Sequence, residues 1–173
     1  MEKKIKVAFI LPAMTNNASG GYKIVYEYVK RLNELNFDCH IFHVYNFTNE
    51  PTSIFSLKYL KYVKKYIELK NTENNWLPLV DPNNIHHIFR YSDLENESNK
   101  FNAVFATSIY TASPVSKLSM QFGRKFYLIQ HWENWYGFSD TEVLFTWKLG
   151  MENIVISKWL LKKAKEAGCK ARS

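Results

Sequence analysis

The stretch from Ile5 to Asn36 constrains this chain more than any other. An apolar run, a polar loop ending in Ser19-Gly20-Gly21 and a long amphipathic segment follow one another there. Ile5 to Leu11 (IKVAFIL) is β-branched or apolar almost throughout, the composition of a strand covered on both faces in a parallel sheet. From Ile24 the apolar positions Ile24, Val25, Tyr28, Val29, Leu32 and Leu35 recur at helical spacing, with Glu27, Lys30, Arg31 and Glu34 off that stripe. The spacing predicts a strand, a turn and a helix that packs one face on the sheet.

Gly20 and Gly21 fall at the first turn of that helix, where backbone N–H groups have no intrahelical partner and the peptide dipoles favour an anion. Without a Cβ they let a phosphate or a sugar hydroxyl approach the backbone. A glycine pair also serves as a permissive turn and nothing more, so both readings stand at this point. Gly-x-Gly-x-x-Gly and the Walker loop are both absent, because the only glycines are 20, 21, 123, 137, 150 and 168.

The rest of the chain repeats the same alternation. Short apolar runs at Cys39 to Val44, Ile85 to Arg90, Ala103 to Ala106, Lys125 to Ile129 and Asn153 to Ile156 read as strands. Between them lie helical patterns at Leu57 to Leu69, from Ser108 to about Phe122, at Thr141 to Leu149 and at Lys158 to Ala167. Asn71 to Asn84 reads as a loop, and the polar, acidic Ser92 to Asn102 as surface. The fold class expected is α/β: a doubly wound, mostly parallel Rossmann-like sheet with helices on both faces. In such sheets ligands bind beyond the carboxyl ends of the strands. Gly20-Gly21, Thr107-Ser108, Gln130 to Phe138 and Ser157 all fall there.

A length of 173 residues suits one domain with a full core. The formal net charge of +7 points to an anionic partner: a phosphate ligand, a membrane surface or nucleic acid. No helix-turn-helix, zinc finger or RNA-binding sheet pattern supports nucleic acid. Leu57 to Leu69 carries Lys58, Lys61, Lys64 and Lys65, with Lys70 just after, and Tyr59, Tyr62 and Tyr66 at the edge of its apolar face. Such a helix suits an anionic membrane surface, and equally an ordinary packed helix with a solvated lysine face. Met1 to Ala13 has lysines before an apolar run, but that run continues into a fold unit, so it reads as the first strand of a cytoplasmic protein rather than a signal peptide.

Cys39 and Cys169 give no disulfide framework or metal spacing. His40 and His43 are three apart on a strand, and His86 and His87 are adjacent, so each pair points to opposite faces and neither makes a convincing ligand pair. Asp-x-Asp, His-Glu-x-x-His, Gly-x-Ser-x-Gly and Cys-x-x-Cys are absent. In Gln130 to Phe138, by contrast, His131, Glu133 and Asn134 are set among Trp132, Trp135, Tyr136 and Phe138. Rings beside hydrogen-bonding groups suit a polar ligand such as a sugar, although the same tryptophans also suit gap-filling in a packed loop.

These residues resemble the amino-terminal half of GT-B glycosyltransferases of family 4, especially rhamnosyltransferase-like enzymes. The matching pieces are KIKVAFILP, SGGYKIVYEYVKRLNELNFDCHIF, AVFATSIYTA, FYLIQHWENWYGF and ENIVISKWLLKKAKEAG, in the family's order and over nearly the whole chain. The resemblance implies that residues 1–173 are one Rossmann-like, acceptor-side domain, half of a GT-B fold whose nucleotide-sugar domain lies outside this chain. By the same resemblance the enzyme is a retaining, metal-independent transferase that needs no cofactor, moving a sugar from a nucleotide-sugar donor to a polysaccharide or lipid-linked acceptor. It would act at the inner face of the membrane. Gly20 and Gly21 would approach the donor diphosphate, His131 would stand near the transferred sugar as the catalytic histidine, and Ser108, Gln130, Glu133 and Trp135 would form the acceptor side.

The spaced glutamate pair that relatives carry in their second domain is absent here. This half alone is therefore expected to be inactive, and Lys170 to Ser173 are expected to begin an interdomain connection. A non-catalytic Rossmann-like module that holds an anionic ligand or a protein partner is the alternative.

Overall fold

The apolar runs become strands because their side chains pack on the faces of one sheet, most completely at the centre, where Val7 to Leu11 are buried on both faces. The computed structural model describes residues 4–46, 57–70, 76–96, 100–134 and 137–173. Its strands are β1 (Lys6–Pro12), β2 (Asp38–Asn46), β3 (Ile85–Arg90), β4 (Ala103–Ala106), β5 (Arg124–Ile129), β6 (Glu152–Val155) and β7 (Ala171–Arg172). They form one sheet in the order β3-β2-β1-β4-β5-β6-β7, and every described pairing is parallel.

The helices are α1 (Gly20–Glu34), α2 (Leu57–Lys70), α3 (Ile109–Ser116), α4 (Asp140–Trp147) and α5 (Lys158–Glu166). α1 lays Val25, Tyr26 and Val29 on one face of the sheet, over Val7, Phe9, Leu11 and Ile41, and Tyr66 and Leu69 of α2 pack on the same cluster. α3, α4 and α5 bury Ala112, Val115, Val143, Trp147, Leu160 and Ala164 against the other face, over Ile10, Phe42, Val104 and Ile129. Two cores on two faces make the sheet doubly wound. Phe9, Phe105 and Phe126 stack in a row across β1, β4 and β5, with centroids 4.7 and 4.8 Å apart.

Four sequence expectations change. The helix predicted to reach Phe122 stops at Ser116. Pro114 inside it has no N–H to give the preceding turn, and Ser119 leaves the helical path to bond Glu95 through both its N–H and Oγ. The 3₁₀ turn Met120–Phe122 then carries Phe122 into the core. The polar stretch from Ser92 is not all surface. A 3₁₀ helix at Tyr91–Asn96 buries Tyr91 and Leu94, Phe101 is also buried, and the Tyr91 hydroxyl donates to the Pro114 carbonyl. Lys170 to Ser173 are not a free connection, because Ala171 and Arg172 add the seventh strand beside Asn153 and Ile154. Finally, the histidines within each strand do point apart, but each has its neighbour on the next strand: His43 stands opposite His87 in register, and His40 reaches diagonally to His86, which is opposite Phe42. His40 Nδ1 lies 2.9 Å from His86 Nε2, and the rings of His43 and His87 stack at 5.5 Å.

Candidate functional site

The strand order reverses between β1 and β4, and there the loops after the two strands diverge and leave a crevice. A cavity of about 450 Å³ occupies it. β1 contributes Leu11 and Pro12, and the start of α1 contributes Ser19, Gly20, Gly21, Tyr22 and Ile24. The end of β4 and α3 give Thr107, Ser108 and Tyr110, while Gln130, His131 and Glu133 follow β5 and Ile156 follows β6.

The amino end of α1 forms one wall. Ser19 is the N-cap in extended conformation, its side chain makes no capping hydrogen bond, and no acidic residue lies in the first turn. Its first N–H groups and the positive end of the dipole therefore open towards the cavity. The preceding loop is fixed from behind. His43, fully buried, accepts at Nε2 from the Tyr26 hydroxyl at 2.9 Å and donates from Nδ1 to the Pro12 carbonyl at 3.0 Å. Burial holds its imidazole neutral, down to about 3, which suits one nitrogen that accepts and one that donates. The Tyr22 hydroxyl donates to the Ala13 carbonyl at 2.7 Å. Two turns of α1 are thus tied to the loop that positions its amino end.

Gly20 and Gly21 lie in this wall, and neither adopts positive φ. A Cβ on Gly20 would meet nothing within 4 Å, and one on Gly21 would touch the Gln130 amide at 3.6 Å. What the two glycines provide is open space over the helix end rather than a special backbone.

The opposite wall is built from α3 and the segment after β5. Thr107 is tied down, its Oγ1 donating to the Ile10 carbonyl at 2.8 Å and its N–H to Thr111 Oγ1 at 2.9 Å. Ser108 is buried as the N-cap of α3, in a capping box with Thr111, and its Oγ makes no bond of good geometry there; Gln130 Oε1 has no hydrogen-bond partner among the described residues. Both residues line the cavity, although the two atoms themselves lie beneath its surface, and a side-chain rotation would present either to a ligand. Glu133 Oε2 accepts from the Ile109 N–H at 2.6 Å and from the Tyr127 hydroxyl at 3.2 Å. Burial pushes its carboxyl up to about 7, against the lowering effect of the Ile109 N–H and the Tyr127 hydroxyl. His131 is exposed at the cavity, and its Nδ1 contacts the Trp132 carbonyl at 3.3 Å.

The sequence-predicted residues Gly20, Gly21, Ser108, Gln130, His131 and Glu133 therefore share one cavity. Trp135 lies outside the described residues. Of the two roles open to the tryptophans, Trp132 takes packing: its Nε1 donates to Asp140 at 2.8 Å, and its ring meets Trp147 and Trp159 edge-on. The tyrosine rings at the cavity are Tyr22 and Tyr110, the latter half-exposed and packed edge-on against Phe138. Helical phase within the pattern after Ser108 would have pointed to Tyr110, since Ile109 and Ala112 turn inward.

Among the described residues no group of three His, Cys, Asp or Glu side chains is placed to hold a metal ion. Cys39 is buried, and burial with the nearby Asp38 pushes its thiol up to about 12, so it stays an unreactive thiol. No described helix is long and apolar enough to cross a membrane.

The chain is similar to a solved α-glucosyltransferase in complex with UDP and a 13-mer DNA containing a HMU base. The match has a TM-score of 0.55 at 8% identity and covers 98% of this chain. The chain spans 42% of the length of that structure. No family model and no curated protein matches the sequence. The likeness bears on the fold, which is glycosyltransferase-like: a Rossmann-like α/β sheet of the kind that forms one half of a GT-B molecule.

Proposed function

We propose that the cavity is the amino-terminal share of a glycosyltransferase active site and that it receives a nucleotide-sugar donor and a hydroxyl-bearing acceptor. The observation that carries this reading is the amino end of α1 at the strand-order switch, where Ser19 makes no side-chain cap and no acid lies in the first turn, facing a cavity wall of Ser108, Gln130, His131 and Glu133. The diphosphate lies against Gly20, Gly21 and the Tyr22 N–H, where the helix dipole stabilises the charge that develops on the leaving group. Ser108, Gln130, Glu133 and, from the sequence, Trp135 face sugar hydroxyls, and His131 stands beside the transferred sugar. The similarity to a UDP-bound glucosyltransferase supports a nucleotide-sugar donor.

In this reading the acceptor is a polysaccharide or a lipid-linked sugar, and transfer proceeds with retention and without a metal. The acceptor oxygen bonds to the anomeric carbon as the carbon–oxygen bond to the diphosphate breaks, and the hydroxyl proton passes to the released diphosphate. Residues 1–173 are the acceptor-side domain, and the remaining donor contacts come from a second domain. The α2 face, with Lys61, Lys64 and Lys65 around the half-exposed Leu60 and Ile67, rests on an anionic membrane surface.

The test is an amide NMR titration of this chain with UDP. Saturable shifts at Gly20, Gly21, Tyr22 and the Gln130–Glu133 segment are expected, and shifts elsewhere with none at these amides reject the site. A non-catalytic module would bind UDP in the same way. Transfer from a nucleotide sugar by the longer protein carrying this chain, lost in His131→Ala, distinguishes the enzyme.

A further inference from the structure

Two helices direct their amino ends at the cavity, and they differ in what they can accept. The first turn of α1 carries no acidic side chain and no side-chain cap. At α3 the protein supplies its own anion, because Glu133 Oε2 takes the Ile109 N–H at 2.6 Å and the Tyr127 hydroxyl at 3.2 Å. Glu133 also lines the cavity, on the same wall as Ser108. A glutamine there offers one carbonyl oxygen to both donors without a buried charge. The carboxylate is therefore more than local hydrogen bonding requires.

We propose that Glu133 is a specificity-determining residue: its carboxylate denies the α3 wall to phosphate, so that the anionic end of a diphosphate ligand docks at Gly20-Gly21 and its uncharged, hydroxyl-bearing end lies towards Ser108. This inference rests on the reading of the cavity as a diphosphate-sugar site and adds the direction in which the ligand enters. A phosphate against the α3 end would meet a like charge in a partly desolvated wall, where screening is weak. A hydroxyl there meets an acceptor in Glu133.

The selection also responds to pH. Burial places the Glu133 carboxyl near neutrality, at about 7, so the repulsion is full in mildly alkaline solution and fades as the group takes a proton. The Tyr127 hydroxyl from β5 bonds it, Tyr22 from α1, Tyr110 from α3 and His131 on its own segment line the same cavity, and α1 adds no acid in its first turn.

Calorimetric titration of this chain with inorganic pyrophosphate, from pH 6 to pH 8.5, tests the inference on wild type and Glu133→Gln. The variant is expected to bind pyrophosphate about tenfold more tightly at pH 8. That gap should close towards pH 6, where wild-type Glu133 is protonated. Ionisation of the probe is common to both proteins and cancels in the difference between them. Equal affinities at pH 8, or a gap independent of pH, overturn the inference while the diphosphate reading stands. Wild type and variant that both ignore pyrophosphate at every pH overturn the two together. Should Glu133→Gln fail to fold, carbon NMR of the Glu133 carboxyl in wild type serves instead. Its titration midpoint must rise when pyrophosphate is added, and an unmoved midpoint overturns the proposal.

Discussion

Glycines that look alike in sequence have different jobs here. Gly123 has φ 62°, and a Cβ on it would lie 2.3 Å from the Asn102 carbonyl oxygen, so Gly123→Ala is expected to cost more than about 1 kcal/mol in urea unfolding. Gly20 and Gly21 are helical and have room for a methyl group. Replacing either with alanine should leave stability unchanged or raise it by up to about 1 kcal/mol. The same methyl projects over the helix end, so each variant should weaken UDP binding in the NMR titration. Wild-type affinity in both variants would mean that the anion docks elsewhere. The sequence marked Gly20-Gly21 because a strand-to-helix turn is a local pattern. It marked Ser108, Gln130, His131 and Glu133 because a parallel sheet brings its strand ends to one edge. It did not show that Glu133 reaches the Ile109 N–H, because that depends on how two separate strand ends face each other.

At the scale of elements, Ala103 to Ala106 is a strand from end to end, since a parallel strand covered on both faces has little choice of composition, and Ile85 to Arg90 matches its strand as well although it lies at the sheet edge with Ile88 alone buried. β7 escaped because two residues carry no periodicity. It is held by pairing with β6 and by Arg172 beside Glu152 at 3.6 Å. The histidine pairs escaped for a related reason: alternation fixes faces within one strand, while pairing across β2 and β3 needs the register. The α4 start was legible, and its cap is reciprocal. Ser139 Oγ accepts from the Glu142 N–H, and Glu142 accepts from the Ser139 N–H at 2.7 Å. Ser139→Ala should cost about 1 kcal/mol in thermal or urea unfolding, with the cavity unaltered. For α2 the readout is co-sedimentation with phosphatidylglycerol vesicles. Reversing Lys61, Lys64 and Lys65 to glutamate should abolish binding at low salt. Undiminished binding would leave their face as a solvated surface.

For the molecule as a whole, two buried groups pull stability in opposite directions over the same pH range. His43 is held neutral in the fold, with its pKa lowered from 6.5 to about 3 by burial, so between these values the unfolded chain binds the extra proton. Its contribution is present above pH 6.5 and is lost as pH falls through that window. His86, also lowered by burial and by its histidine neighbours, acts in the same sense. Glu133 is the reverse case: its carboxyl is raised from 4.5 to about 7, so the folded chain binds the extra proton and stability declines as pH rises between those values. From pH 4.5 to 6.5 the Glu133 decline offsets the His43 rise. Glu133→Gln removes the decline and leaves the rise. Urea unfolding of the variant should therefore gain on wild type with increasing pH, at a slope approaching about 1.4 kcal/mol per pH unit inside the window and flattening above pH 7. A difference between the two proteins that stays constant from pH 4.5 to 7.5 would mean that Glu133 titrates in the fold as it does in the open chain. It would then hold no buried charge at the α3 wall with which to direct a ligand.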